Sequence, residues 1–336
     1  MLPLALLLAA CVAPKDACLE RVTFGGRHIL VYRNLPLHGD PQPHVQRAFV
    51  LVHGNARDAD RYYRAALAAA AAAGRMGDTL LLAPWFKGNT GTGSCRDAAE
   101  ANEAVWDCSG WKAGEAAAST SAAGNPVYSF DFMDTLLSWL DDRTRFPNLK
   151  EIVVGGHSAG GQFVQRYAAA NVAEPKLRVP VRYVVANPSS YVYPNAMRLS
   201  PQGSCDVSGS CSGEFRGYWD AEYCTAFNQY RYGLDKLDGY IAKLSADQVR
   251  SQFAKRKVTY LVGELDTLAD SQLDQSCASM AQGRNRRDRG ITFWNYMRQQ
   301  FHAEHELKVV GGCGHSAVCM FASQPGLEAV FGSAIE

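Results

Sequence analysis

The sequence has almost no net charge, no Cys-x-x-Cys pair, no internal repeat and no apolar run long enough to cross a membrane as a helix. Lys and Arg number 34 against 33 Asp and Glu, a formal balance of +1 over 336 residues. Nucleic-acid binding needs a clustered basic footprint, and neither half of the chain has a long basic run. No nucleic-acid partner is therefore expected. The one local cluster, Arg284, Arg286, Arg287 and Arg289, alternates with Asn285 and Asp288 and reads as a solvated helix or loop face. Without Cys-x-x-Cys spacing, the 10 cysteines do not read as a metal site.

The apolar run at the start, MLPLALLLAACVA, is too short to span a bilayer. It fits the apolar region of a secretory signal, although no Lys or Arg lies near Met1. Leu8-Ala9-Ala10-Cys11 also resembles a bacterial lipobox, in which the cysteine becomes lipidated and anchors the mature chain to a membrane. The other reading is a signal cleaved near Ala13, with the protein secreted or periplasmic. Residues 1–17 are thus expected to be a signal peptide or lipoprotein signal, and 18–336 the mature domain. Export would agree with disulfides. Short spacings suggest Cys95–Cys108, Cys205–Cys211 and Cys313–Cys319. Loss or lipidation of Cys11 would leave an odd number.

What is present is strand–helix alternation. Nearly half the residues are apolar (47%), enough for one large core. Residues 21–32 read as a hairpin around Gly25-Gly26. Residues 48–52, 79–83, 152–154, 182–185, 258–262 and 307–310 read as strands. Continuous apolar runs of this kind suit strands covered on both faces. Pro84 should stop the second of these. Residues 60–73, 131–140, 162–170, 246–253 and 293–302 have helical spacing. This pattern predicts an α/β fold, mostly parallel, with helices on both faces of the sheet. Residues 188–257 read as an inserted lid, and a monomer is expected.

Gly156-His157-Ser158-Ala159-Gly160 lies between a strand and a helix. In that setting Gly-x-Ser-x-Gly means a nucleophile elbow. The turn is strained, so its neighbours must be small. It lifts the Ser158 hydroxyl into a cleft and places the Ala159 N–H at a helix start, where it can donate to an oxyanion. A serine needs a base, and where a strand–turn–helix serine is the nucleophile, acid and histidine follow it in the chain. Of the 8 histidines, His302, His305 and His315 are downstream. His302 and His305 read as surface or packing residues. His315, on the Gly-rich loop Gly311–Ser316, is the candidate base. Asp266, just past the strand at 258–262, is the candidate acid, with Glu264 and Asp270 as competitors. The other common acid position holds Asn187. Asn55, after His53-Gly54, is the candidate second oxyanion donor, with Ala56 next. His53 itself reads as structural.

His53-Gly54, the Ser158 elbow, Asp266 and His315 together resemble the α/β-hydrolase superfamily, over roughly residues 21 to 331. The resemblance implies an esterase-like serine hydrolase with the triad Ser158, Asp266 and His315 and an oxyanion hole at Asn55 and Ala159. It implies no metal and no organic cofactor. A small-molecule or polymeric ester is the expected substrate; peptide or amide hydrolysis and polyester or polyhydroxyalkanoate depolymerisation are the alternatives. Asn55 directly after His53-Gly54 departs from the glycine run of lipases. Trp85, Phe86, Trp106, Trp111, Tyr191, Tyr193 and Trp219 fall in loops and inserts. Trp85 and Tyr191 are expected to line the pocket, which would suit an aromatic or medium acyl ester.

Overall fold

The computed structural model describes residues 11–14, 16–89, 95–118 and 124–332. Residues 1–10, most of the expected signal, lie outside the described residues. The eight strands of the main sheet are β1 (Leu19–Phe24), β2 (Arg27–Arg33), β3 (Arg47–Val52), β4 (Thr79–Trp85), β5 (Glu151–His157), β6 (Val181–Ala186), β7 (Val258–Gly263) and β8 (Glu306–Val310). Their order is β1-β2-β4-β3-β5-β6-β7-β8. β1 and β2 form the expected hairpin, and β2 pairs antiparallel with β4. Every other neighbouring pair is parallel.

Among the described residues the eight α-helices are α1 (Ala59–Ala72), α2 (Ser129–Leu140), α3 (Ala159–Ala170), α4 (Ala246–Lys255), α5 (Cys277–Met280), α6 (Arg286–Phe301), α7 (Ala317–Ala322) and α8 (Gln324–Phe331). Strand side chains alternate between faces. In β3, Ala48, Val50 and Val52 join the core under α2, α3, α4 and α6, while Phe49 and Leu51 join the core under α1, α7 and α8. Both faces are thus covered. All residues of α3 are buried, including Gln162, Gln165 and Arg166. Truncating a buried aromatic there, such as Phe163, would cost about 3–5 kcal/mol.

Four features depart from the sequence expectations. β4 continues through Pro84 to Trp85, because β3 leaves β4 after Leu82 and only β2 remains as a partner. β5 runs on to His157, so the strand ends directly at the serine. α6 begins at Arg286, capped by the Asn285 side chain, which accepts from the Asp288 N–H at 2.9 Å. The basic cluster is therefore the first turn of a packed helix, and Arg286 and Arg289 are fully buried rather than solvated. Periodicity does not reveal α7 and α8, which are only 6 and 8 residues long.

Between β6 and β7 the chain leaves the sheet. It forms two short antiparallel pairs, Met197–Leu199 with Phe215–Gly217 and Ser204–Cys205 with Cys211–Ser212, before reaching α4. Tyr191, Tyr193, Phe215, Tyr240 and Ile241 of this excursion pack into the same core as α3 and α6.

The cysteines pair as Cys95–Cys108, Cys205–Cys211, Cys313–Cys319, Cys224–Cys277 and Cys11–Cys18. None is left free among the described residues. The first three match the short spacings. The sulfur of Cys11 is bonded to Cys18, so in this form it cannot also carry a lipid thioether. Among the described residues no helix is long and apolar enough to cross a membrane.

Candidate active site

Ser158 sits between the end of β5 and the start of α3, with φ 59° and ψ −119°. Few non-glycine residues adopt such a φ, and the strain persists only because the surroundings over-determine it. Here a Cβ on Gly156 would collide with the Gly160 carbonyl, and one on Gly160 would collide with the backbone of Val52 and His53. The glycines let strand and helix close on the turn. The Ser158 N–H donates to the Ala186 carbonyl at 2.9 Å, which ties the turn to β6. Ala159 is the first residue of α3, where an N–H has no intrahelical acceptor.

His315 lies on the loop after β8, with Nε2 2.9 Å from Ser158 Oγ and Nδ1 2.7 Å from Asp266 Oδ2. Asp266 follows β7 and is 2% exposed. The loops that carry these groups are braced together. Asn187, at the tip of β6, accepts from the Gly263 N–H at 2.9 Å and donates to the Gly314 carbonyl at 3.3 Å. Glu264 accepts from the Gly312 N–H at 2.9 Å, and the Leu265 N–H donates to the Cys313 carbonyl. The Cys313–Cys319 disulfide brackets His315. Of the two competing acids, Glu264 is thus a brace. Asp270 is held by Arg286 through both guanidinium nitrogens, at 2.8 and 2.9 Å, and this contact lowers its pKa to about 2.

Three of the other histidines, His53, His157 and His305, are buried against partners of their own. His53 Nε2 accepts from the Phe86 N–H at 2.9 Å while Nδ1 faces the Gly54 carbonyl at 2.9 Å. That pairing requires the neutral ring, and burial holds its pKa down at about 4. His305 packs between Tyr260 and the Phe253 carbonyl, and burial likewise lowers its pKa to about 4. His157 packs its ring 4.5 Å from that of His315. Burial, with the His315 and Arg286 charges beside it, drives its pKa well below the ordinary value.

Asn55 borders the cleft together with Ser158 and Ala159. Its carbonyl accepts from Arg57 at 2.9 Å, and Arg57 is itself paired with Asp97 at 2.6 Å. Its side chain donates to Gln272 at 3.0 Å. The cleft that opens beside Ser158 and Ala159 has a volume of about 380 Å³. Its wall is polar and cationic: Lys112, Gln162, Arg166, Arg231, Tyr232 and Asp274 face it.

Neither expected aromatic lines this cleft. Trp85 stacks on Tyr32, with the Lys87 ammonium 4.4 Å from its ring. Tyr191 is fully buried, stacked on Phe293 with centroids 4.4 Å apart. Phe86, Trp106, Trp111 and Tyr193 are also core residues, and Trp219 is 59% exposed in a different depression. Apart from Trp219, the aromatics that read as a substrate surface are instead spent on packing, and the wall they leave is polar. Sequence reasoning misses Lys112, Arg166, Arg231 and Gln272. For Arg166 a signal exists: Gln162 and Arg166 follow Ser158 at helical spacing of four, which puts both on the face of the helix that the serine begins.

A model of the alpha/beta hydrolase family matches residues 49–330. No curated protein sequence matches significantly. Among solved structures, a poly(aspartic acid) hydrolase-1 from Sphingomonas sp. KT-1 is similar with a TM-score of 0.62 and 23% identity, over 93% of this chain and 97% of that one. A poly(3-hydroxybutyrate) depolymerase from Bordetella parapertussis is similar with a TM-score of 0.58 and 20% identity, over 89% and 86%. At those identities the likeness is one of fold. With the family model covering most of its length, the strand order β1-β2-β4-β3-β5-β6-β7-β8 and the serine turn after β5, this chain belongs to the α/β-hydrolase family.

Proposed function

We propose that the protein is an exported serine hydrolase that cleaves carboxylic esters through an acyl-enzyme on Ser158. The observation that carries this reading is the continuous chain of hydrogen bonds from Asp266 through His315 to Ser158. Ser158 Oγ adds to the substrate carbonyl carbon as its proton passes to His315 Nε2. Asp266 holds the ring and stabilises the imidazolium. The N–H groups of Asn55 and Ala159 receive the oxyanion. Collapse of the intermediate breaks the bond to the leaving alcohol, which takes the proton from His315. Water then adds to the acyl-enzyme by the same route and releases the acid. Residues 188–257 act as a lid, contributing Ser189, Arg231 and Tyr232 to the cleft. The disulfides support export to an oxidising compartment.

A second reading is hydrolysis of a polymer, through ester or amide bonds. The polar cleft favours it, and the two similar structures are named for a poly(aspartic acid) hydrolase and a poly(3-hydroxybutyrate) depolymerase. Steady-state hydrolysis of matched ester and amide substrates by the purified protein, with Ser158→Ala as the control, tests both. Ester turnover that vanishes in Ser158→Ala is the expected result. Equal turnover by Ser158→Ala would remove the proposal, and a preference for the amide would move it to the second reading.

A further inference from the structure

Two cations of the cleft beside Ser158, Lys112 and Arg166, have no carboxylate within ion-pair distance among the described residues. Arg166 is 1% exposed. One terminal nitrogen donates to the Lys112 carbonyl at 3.2 Å and the other to Ser190 Oγ at 3.1 Å. Its Nε has no partner among the described residues. It has no carboxylate within ion-pair distance among those residues. A buried guanidinium is normally paired with an anion, because an uncompensated charge in a dry site is costly. Lys112, on the turn Gly110–Ala113, faces the same cleft, and its ammonium makes no hydrogen bond or ion pair to any described residue. Burial, followed by the Arg166 and Arg231 charges, lowers its pKa to about 8. Crowded like charges of this kind are relieved by a bound anion.

The nearby carboxylates are already engaged. Glu115 is paired with Arg231. Asp107 accepts from the Ser109 and Gly110 N–H groups. Asp274 accepts from Tyr232 at 2.7 Å and from the Ser276 N–H at 3.0 Å. These hydrogen bonds leave Asp107 and Asp274 charged, but among the described residues neither comes within ion-pair distance of Lys112 or Arg166, so these two cations meet the cleft without a contacting counter-ion.

Position ties these two cations to the reaction. Arg166 lies two helical turns beyond Ser158, roughly 12 Å along the axis, and helical side chains lean back toward the N-terminus. Gln162, one turn from Ser158, donates to the same Ser190 hydroxyl at 2.6 Å. The guanidinium therefore stands beside Gln162, a few bonds from where a scissile carbonyl would sit.

We infer that Lys112 and Arg166 form a subsite for a carboxylate on the substrate, so that the preferred substrates are acyl compounds bearing a free carboxylate a few carbons from the bond that is cut. The inference builds on Ser158 as nucleophile and adds the substrate class. The anion belongs to the substrate rather than to a separate effector, because the same cleft is walled by Ser158 and Ala159.

Two measurements test it. The first compares kcat/KM for monoesters of succinate, glutarate and adipate with neutral esters of equal length. At least one anionic ester is expected to win by about tenfold or more, carried in KM, since a charge-assisted hydrogen bond contributes that much. In Lys112→Met the ratio is expected to fall toward one. Neutral esters equal to or better than all three anionic ones, or an unchanged ratio in Lys112→Met, would overturn the inference. The second is calorimetric titration of Ser158→Ala protein with succinate and glutarate. Binding that is lost in the Ser158→Ala, Lys112→Met double variant supports the subsite, and no heat with either acid counts against it. This arm needs no turnover. If the wild type hydrolyses nothing, the hydrolase reading fails while the subsite is still decided.

Discussion

Arg286 lies 3.5 Å from Asp266 Oδ1 while gripping both oxygens of Asp270. One buried guanidinium thus stands behind the carboxylate that holds His315 and ties it to a second, 39% exposed carboxylate at the surface. Removing it would leave Asp266 facing a dry interior without a counter-charge. Arg286→Met is therefore expected to destabilise the fold by about 3–5 kcal/mol, measured by urea unfolding. Asp270→Asn, which removes a partly solvated partner, is expected to cost about 1 kcal/mol or less. Equal effects would mean that Arg286 serves the surface pair alone.

Asp266 contacts His315 and its competitors do not. Asp266→Asn is expected to lower kcat by about four orders of magnitude, because an amide favours the wrong imidazole tautomer. Glu264→Gln and Asp270→Asn are expected to lose far less, through loop bracing only. Steady-state kinetics of the three variants distinguishes these roles.

The charge on Lys112 should give the anionic preference a pH dependence. Burial, followed by the Arg166 and Arg231 charges, lowers the Lys112 pKa, while Asp274 and Asp107 oppose them, with the result at about 8. Below that pH the ammonium is present, and above it the charge is lost. The ratio of anionic to neutral ester turnover is expected to fall as pH rises through about 8, toward the ratio of Lys112→Met. A flat ratio from pH 7 to 9 would show that Lys112 does not meet the substrate.

His53 and His305 bear on acid stability. Both are buried and neutral, with pKa values of about 4. Unfolded, each takes up a proton near the ordinary value of about 6.5. Between those values the unfolded state binds more protons, so stability is fully present above about 6.5 and declines as pH falls toward 4. Protonating His53 also sets an N–H against the Phe86 N–H that it now accepts. The melting temperature is expected to drop across this window, with a shallower slope in His305→Gln.

The fold was legible where a pattern had one physical meaning. The continuous apolar run in β3 suits a strand covered on both faces, and β3 is one. Gly156 and Gly160 around Ser158 marked a turn that admits no side chains. The three short cysteine spacings are closed as disulfides, whereas Cys224–Cys277, 53 residues apart, leaves no local trace. The cleft was not legible. Trp85 and Tyr191 read as loop residues by sequence, yet Trp85 ends β4 and stacks on Tyr32, and Tyr191 is buried in the core. Lys112 is one lysine in a long excursion, and only the structure sets it opposite Arg166. The Arg284–Arg289 cluster alternates like a solvated face, but its helix is packed on both sides, so Arg286 and Arg289 turn inward.

The central claim is that Ser158 becomes acylated with His315 as its base. Treating the protein with a fluorophosphonate probe and locating the adduct by peptide mass spectrometry measures this directly. The adduct is expected on Ser158 alone, absent in Ser158→Ala and slowed by at least about a hundredfold in His315→Ala, the loss typical of a missing base. An unlabelled Ser158 in folded protein, or labelling as fast without the imidazole, would contradict the account.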